Sequence, residues 1–196
     1  MIGHLSIICG PMWSGKTTEL LRLYDRNMHA EVPSLLIRHS IDTRYDVDDL
    51  DGVDSLEAES SRIKSHMDMS GKQRQSRAYS CSTILDILPL VKKHKIDAVF
   101  IDEIQFFPDK GHCSVLLNMG VHVIVAGLNG DFRQEMFDGM AELYSQAYDI
   151  KMLRAVCAFC KSEDACYTIK HNTDSDEIQQ VGGAEIYKAC CPTCKQ

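Results

Sequence analysis

Short apolar runs rich in β-branched residues alternate with helical patterns along most of this chain. Four runs have the composition of buried strands: LSIIC, SLLIR, AVFID and VHVIVAG. Because each run is apolar almost throughout, we expect both faces of the sheet to be covered. Strands that alternate with helices are typical of βαβ units. The pattern therefore predicts an α/β fold, with a mostly parallel sheet flanked by helices.

Three helices are predicted between and after these runs. The first begins at about Thr17, and its apolar face carries Leu20, Leu21, Leu23 and Tyr24. The stretch STILDILPLVKKH predicts the second helix, in which Pro89 marks a kink or a boundary. The third helix is expected to begin near Pro108, because proline is favoured in a first turn, and Gly120 supplies its stop signal.

Two regions depart from this pattern. Between about Ser40 and Arg77 the periodicity breaks down, and the acidic part DVDDLDGVDSLEAESS predicts a mobile surface insertion. A solvated loop is the simpler interpretation, and a nucleotide-sensitive lid is the alternative. From Arg154 onward, cysteines become denser and helical periodicity fades. We therefore expect a main α/β domain at residues 1–153 and a small second domain at residues 154–196.

Length and charge narrow the classes of partner. The chain has 196 residues and a formal net charge of −7. An acidic protein lacks the basic field that general binding to nucleic acid or anionic membranes requires, so we expect neither partner. No apolar run approaches the ~20 residues that span a bilayer, and the first residues do not resemble a signal peptide. We expect a cytoplasmic protein that binds small molecules.

The stretch GPMWSGKT has the spacing of a phosphate-binding loop. Its residues are Gly10, Pro11, Met12, Trp13, Ser14, Gly15, Lys16 and Thr17. The glycines allow backbone N–H groups to turn inward around an anion at a helix N-terminus. In such loops the lysine reaches the β- and γ-phosphates, and the threonine hydroxyl is a ligand of Mg²⁺. Since the stretch follows a predicted strand and opens a predicted helix, residues 1–153 are expected to bind a nucleoside triphosphate.

Two adjacent carboxylates, Asp102 and Glu103, follow the run AVFI. Ligands of open α/β sheets bind at the carboxyl ends of the strands, so we expect Asp102 beside the phosphate loop, where it holds Mg²⁺ directly or through water. Glu103 is then free to handle a proton. In a hydrolase it would orient water, and in a kinase it would accept a proton from the acceptor hydroxyl. These residues leave both reactions open.

Two C-x-x-C pairs predict a structural zinc site in the second domain. Cys157 pairs with Cys160 and Cys191 with Cys194, among nine cysteines in the chain. Four thiolates complete a tetrahedral Zn²⁺ site and leave no position for a reacting ligand. Cys190 is adjacent, but only Cys191 has the two-residue spacing to Cys194. A zinc-ribbon module for nucleic acid is the alternative, and the acidic charge disfavours it.

Six segments, in this order, resemble the type II thymidine kinases: GPMWSGKTTELLR, DTRY, DEIQFF, GLNGDF, AVCAFC and GGAEIY. The resemblance covers nearly the whole chain. It implies a RecA-like P-loop domain and a zinc-tied lasso, and it implies transfer of the γ-phosphate of ATP to the 5′-hydroxyl of thymidine, a step of deoxynucleotide salvage for DNA synthesis. A homotetramer and feedback inhibition by thymidine triphosphate are also implied. The rival enzyme class is a zinc-bearing P-loop ATPase, in which Glu103 polarises water.

The resemblance also implies roles for individual residues. Glu103 corresponds to the catalytic base, while Thr17 and Asp102 correspond to the Mg²⁺ side of the site. Contacts to ATP are implied for the phosphate loop, Asp42, Thr43 and Asp102, and further contacts on the phosphate side or elsewhere in the active site are implied for Arg44 and Gln105. Contacts to thymidine are implied for Met12, Phe106, Leu128, Phe132, Ile178, Gln179, Gln180, Val181, Gly182 and Tyr187. The two phenylalanines would flank the pyrimidine, and backbone groups of the lasso would recognise its edge.

Three residues depart from the family pattern. Trp13 stands where phenylalanine is common, Ile104 where glycine is common, and Gln180 where an apolar residue is common. None of these replaces a reacting group. They are expected to change the shape of the pocket rather than the chemistry.

Overall fold

The computed structural model describes residues 2–42, 60–64, 75–171 and 186–195. Seven strands in these ranges form one sheet: β1 Leu5–Gly10, β2 Ser34–His39, β3 Ser60–Lys64, β4 Gln75–Cys81, β5 Ala98–Ile101, β6 His122–Leu128 and β7 Asp149–Met152. Their order is β3-β4-β2-β5-β6-β1-β7. Six strands run parallel, and β3 pairs antiparallel with β4 at one edge. The predicted mostly parallel α/β sheet is confirmed.

The described residues contain four α-helices: α1 Lys16–His29, α2 Leu88–His94, α3 Cys113–Asn118 and α4 Met140–Gln146. The first prediction is confirmed, since α1 starts one residue before Thr17. Pro89 lies in the first turn of α2, directly after a 3-10 turn, and so marks a boundary rather than a kink. The predicted start near Pro108 is wrong, because a turn and a 3-10 helix at Lys110–His112 precede α3.

Helices cover both faces of the sheet, as the continuous apolar strands predict. Along β5, Phe100 packs in a cluster with Leu20 and Leu21 of α1. Ile101 points to the opposite face, into a larger cluster that includes Leu116 of α3. Because both faces are buried, the carboxyl ends of the strands are held in fixed positions beside the phosphate loop.

The second region is built from two small antiparallel sheets. One pairs β8 Ala155–Val156 with β9 Asp164–Ala165, and the other pairs β10 Tyr167–Lys170 with β11 Tyr187–Cys190. It begins directly after Leu153, whose N–H donates to the Cys9 carbonyl at 2.7 Å. None of the helices in the described ranges is long and apolar enough to cross a membrane.

The region where the sequence pattern broke down contains parts of two strands. β3 and the start of β4 lie inside the interval between Ser40 and Arg77, where no strand was predicted. Most of the acidic segment lies outside the described residues, so its interpretation as an insertion stays a prediction.

Candidate active site

The phosphate loop connects β1 to α1, and its two glycines have different reasons to be there. A Cβ on Gly10 would lie 2.5 Å from the Leu153 carbonyl oxygen and 2.7 Å from Ser14 Oγ, so the space is closed to a side chain. Gly15 has open space around it, but its φ of 81° is in the left-handed region that L side chains rarely adopt. Gly10, whose φ of 156° L side chains also rarely adopt, is therefore required by packing and by backbone conformation, and Gly15 by the turn into the helix.

Lys16 is held over this loop. Its side chain is buried, and its Nζ donates to the Pro11 carbonyl oxygen at 2.8 Å. The Ser14 hydroxyl donates to the same carbonyl at 2.8 Å. A buried ammonium above a ring of backbone groups is the arrangement that the spacing predicts for binding a phosphate.

Thr17 and Asp102 meet at the edge of the sheet. The Thr17 hydroxyl lies 3.1 and 3.2 Å from the two carboxylate oxygens of Asp102, although 85 residues separate them. Asp102 is only 4% exposed, and its N–H donates to the Ile37 carbonyl, which fixes the end of β5. A hydroxyl and a carboxylate side by side are hard oxygen ligands, so the pair fits Mg²⁺.

Glu103 lies beside the same loop and is buried to 8% exposure. Its backbone is in the left-handed region, with φ 50° and ψ 50°, at the turn after β5. Gln105 Nε2 donates to Glu103 Oε2 at 2.6 Å, and Gln105 Oε1 accepts the Leu128 N–H at 3.2 Å. Gln105, for which the resemblance implies a contact on the phosphate side or elsewhere in the active site, thus joins the carboxylate of Glu103 to the end of β6. Glu103 lines one cleft with Lys16 and Thr17.

The structure describes only some of the residues that are predicted to contact thymidine. Met12 is buried and lines the same cleft, with Trp13 beside it. Phe106 is half-buried, with its ring centre 6.4 Å from that of His39. Phe132 is half-buried beneath the Arg133 guanidinium and the Lys170 ammonium, each 5.2 Å from its ring centre. Their places around a pyrimidine stay predictions.

On the phosphate side, Asp42 is buried in the turn after β2, where the buried Arg38 donates to its carbonyl oxygen. The remaining predicted contacts lie outside the described residues: Thr43, Arg44, Ile178, Gln179, Gln180, Val181 and Gly182.

The four predicted cysteines come together. The sulfur atoms of Cys157, Cys160, Cys191 and Cys194 all lie within 4.8 Å of one another. Cys160 Sγ is 3.9 Å from Cys191 Sγ, close to the about 3.8 Å expected between thiolates at a Zn–S distance of about 2.3 Å. The arrangement therefore fits a closed zinc site.

The pKa values of the thiols do not separate the cluster from Cys190, because burial raises the pKa of Cys191 as well as that of Cys190. Burial raises the pKa of Cys157, but hydrogen bonds from the N–H groups of Cys160, Cys191 and Phe159 together outweigh burial and lower the pKa to about 6. Burial raises the pKa of Cys190 to about 11, and its Sγ donates to the Cys191 carbonyl at 3.4 Å. Geometry places Cys190 beside the cluster, since the group of sulfur atoms within 4.8 Å of one another contains Cys191 and not Cys190.

Three hydrogen bonds that no motif predicts join the phosphate-loop end of the sheet to the second region. The Met12 N–H donates to Thr168 Oγ1 at 2.9 Å in a buried position. The Trp13 indole N–H donates to the Tyr187 carbonyl at 3.4 Å, and Asn129 Nδ2 donates to the Cys166 carbonyl at 3.0 Å. Thr168 and Arg38 carry no motif or spacing signal, whereas Asn129 lies in the segment GLNGDF, for which the resemblance implied other contacts.

The site and the sheet define a P-loop nucleotide-binding protein of the α/β class with a cluster of four cysteines that fits a zinc ion. The thymidine kinase family model matches residues 3–195. Thymidine kinase 1 of Dictyostelium discoideum is 38% identical over 193 residues, which are 98% of this chain and 77% of that protein. The thymidine kinases of fowlpox virus and Pseudothermotoga lettingae are each 34% identical, over 98% and 99% of this chain and 96% and 95% of those proteins. The chain belongs to the thymidine kinase family.

Proposed function

We propose that this enzyme transfers the γ-phosphoryl group of ATP to the 5′-hydroxyl of thymidine and forms thymidine monophosphate. The observation that carries this proposal is the position of Glu103, a buried carboxylate in one cleft with Lys16 and Thr17 of the phosphate loop. Family membership supports the choice of acceptor, since the relatives are named thymidine kinases. A base beside a phosphate loop is what transfer to a hydroxyl requires.

In this proposal Glu103 accepts the proton of the 5′-hydroxyl as that oxygen attacks the γ-phosphorus and the bond to ADP breaks. Gln105 donates to the carboxylate and orients it. Lys16 supplies positive charge to the transferring group, and Arg44 is proposed to do the same. Most of the rate enhancement then comes from positioning and electrostatics.

Thr17 and Asp102 are the proposed Mg²⁺ ligands. The contact between their side chains supports this role, because Mg²⁺ prefers oxygen ligands and needs only one or two from the protein. When bound, the ion neutralises negative charge on the phosphates.

Recognition of thymidine is proposed for the segment 178–182, with Tyr187 closing the site and Met12, Phe106, Leu128 and Phe132 around the base. The four-cysteine centre supports this arrangement, because it anchors both ends of the segment that would form the lasso. The proposed domain boundary between residues 153 and 154 is supported by the change from one large sheet to two small ones.

Three further properties are part of the proposal: a cytoplasmic location, a homotetramer, and feedback inhibition by thymidine triphosphate. Exposed apolar residues on and beside the edge strand β7 support self-association, with Tyr148 78%, Ile150 47% and Met152 53% exposed. Light scattering that finds only monomer in the presence of nucleotide would exclude the tetramer. Undiminished activity at saturating thymidine triphosphate and low thymidine would exclude the inhibition.

The reaction is tested by ADP production from Mg²⁺-ATP in zinc-replete protein, with thymidine, deoxycytidine, uridine or no nucleoside. We expect turnover with thymidine and little with the other additions, because a base edge paired to fixed polar groups excludes the wrong base. Equal turnover without nucleoside would identify an ATPase and overturn the proposal.

A further inference from the structure

The phosphate loop contains a residue whose side chain leaves the loop and reaches the second region. Trp13, the only tryptophan of the chain, stands between the glycines of the loop and lines the cleft with Lys16 and Glu103. Its φ of 67° places a bulky residue in the left-handed region, which is an uncommon and costly conformation. The surrounding structure must therefore hold the indole in place.

The contact that the indole makes is specific to tryptophan. Its Nε1–H donates to the Tyr187 carbonyl oxygen at 3.4 Å. Phenylalanine, which is common at this position in the resembling kinases, has no N–H and cannot make this hydrogen bond.

The receiving end belongs to a hairpin that is continuous with the cysteine centre. Tyr187 opens β11, which pairs with β10 from Tyr187 to Cys190, and Cys191 of the four-cysteine cluster follows. The neighbouring loop residue Met12 donates its N–H to Thr168 on the same hairpin at 2.9 Å. Two consecutive residues of the phosphate loop are thus fixed to the two strands of one hairpin.

We propose that Trp13 is a positioning residue whose indole N–H couples the phosphate loop to the nucleoside side of the site through Tyr187. The inference rests on the proposed function, because it takes Tyr187 to close over the nucleoside. When nucleoside binding orders the hairpin, the hairpin holds the phosphate loop in one conformation. When triphosphate binding orders the phosphate loop, the loop in turn holds the hairpin. By linkage, each ligand raises the affinity for the other by the same factor.

Calorimetry of the zinc-replete protein tests this directly. The dissociation constant of thymidine is measured alone and with a saturating non-hydrolysable ATP analogue, and the ratio of the two values is the coupling factor. In the native protein we expect a factor of about 5 or more. In Trp13→Phe we expect the factor to fall by about 2- to 10-fold, the worth of one neutral hydrogen bond. Tyr24→Phe is the matched control, since it also removes one polar atom from an aromatic side chain that does not line the cleft, and it should leave the factor unchanged.

Each alternative result has a defined meaning. A native protein without coupling, or equal coupling in Trp13→Phe, overturns the inference. A merely structural role would lower the melting temperature or weaken each ligand alone while the factor stays the same, which also overturns it. A native protein that binds no thymidine contradicts the proposed function itself.

Replacement of the single tryptophan by its benzothiophene analogue provides a second variant. This analogue keeps the bicyclic shape and has a sulfur atom in place of the indole N–H, so the chain is expected to fold as before. Loss of coupling in this protein supports the inference, and retained coupling contradicts it whatever Trp13→Phe does.

Discussion

At the scale of single residues, the chemistry depends on how Glu103 is presented. Its left-handed backbone directs the side chain from the end of β5 toward the phosphate loop, and Gln105 fixes the carboxylate by a 2.6 Å hydrogen bond. Ile104, the departure from the family pattern, is fully buried under Gly127, where a Cβ would lie 2.6 Å from its side chain. The packing of Ile104 against Gly127 therefore fixes the turn that carries Glu103.

Glu103→Gln should lower kcat by about 10²- to 10⁴-fold, because an amide cannot accept the proton of the hydroxyl. The dissociation constant of ATP should stay nearly unchanged, since Lys16 and the loop remain. Single-turnover rates and calorimetry separate the two effects. Gln105→Leu is the comparison variant, with an expected loss of only about 10-fold from a less ordered carboxylate. A Glu103→Gln protein with native kcat would show that another group is the base.

At the scale of elements, α1 is tied to the edge strand β7 by a three-residue charge network. Arg22 Nε donates to Glu19 Oε2 at 2.7 Å, and Lys151 Nζ donates to Glu19 Oε1 at 2.8 Å. The hydrogen bond from Arg22 is the main reason that the pKa of Glu19 falls from 4.5 to about 2, although burial works in the opposite direction. Both cations are about half exposed, so solvent screens the network and its contribution to the free energy of unfolding should be small.

Because the pKa of Glu19 is lower in the folded than in the unfolded chain, its contribution is complete above about pH 4.5 and is lost as the pH falls toward 2. Glu19→Gln should therefore reduce the free energy of unfolding near neutral pH, and the difference from native protein should narrow below about pH 4.5. Urea titrations across this range measure the difference. Glu31→Gln, at an exposed position after α1, is the control and should show a smaller, pH-independent change. A constant difference for Glu19→Gln would contradict the network.

The elements also show what the sequence can and cannot predict. β1, β2, β5 and β6 are buried on both faces, and their apolar runs predicted them. All four residues of β7 are exposed, so this strand has no apolar pattern. The six-residue α3 is too short for a helical period, and it was predicted only from Pro108 and Gly120, with the wrong start. The contact between the phosphate loop and Asp102 could be predicted, because both lie at the carboxyl ends of parallel strands. Thr168 could not, because it lies 156 residues from its partner Met12 and has no local signal.

At the scale of the whole molecule, the cysteine centre should support the site without touching the chemistry. Cys157→Ser should lose zinc and nearly all thymidine phosphorylation, because structural zinc supplies on the order of 10 kcal/mol of apparent folding free energy in small domains. Cys190→Ser is the matched control, since Cys190 is buried beside the cluster but is not part of it. Zinc content and turnover are measured on both proteins. Full thymidine phosphorylation by zinc-free Cys157→Ser protein would show that nucleoside binding does not depend on the metal.

The most direct test of the whole account follows a label from the γ-phosphate of ATP to its acceptor in the zinc-replete enzyme with thymidine present. We expect the label to enter thymidine 5′-monophosphate in step with ADP, and we expect Glu103→Gln to slow this transfer without diverting it to water. Label that appears as inorganic phosphate at the same rate with or without thymidine would contradict this expectation, and would make Glu103 the group that activates water.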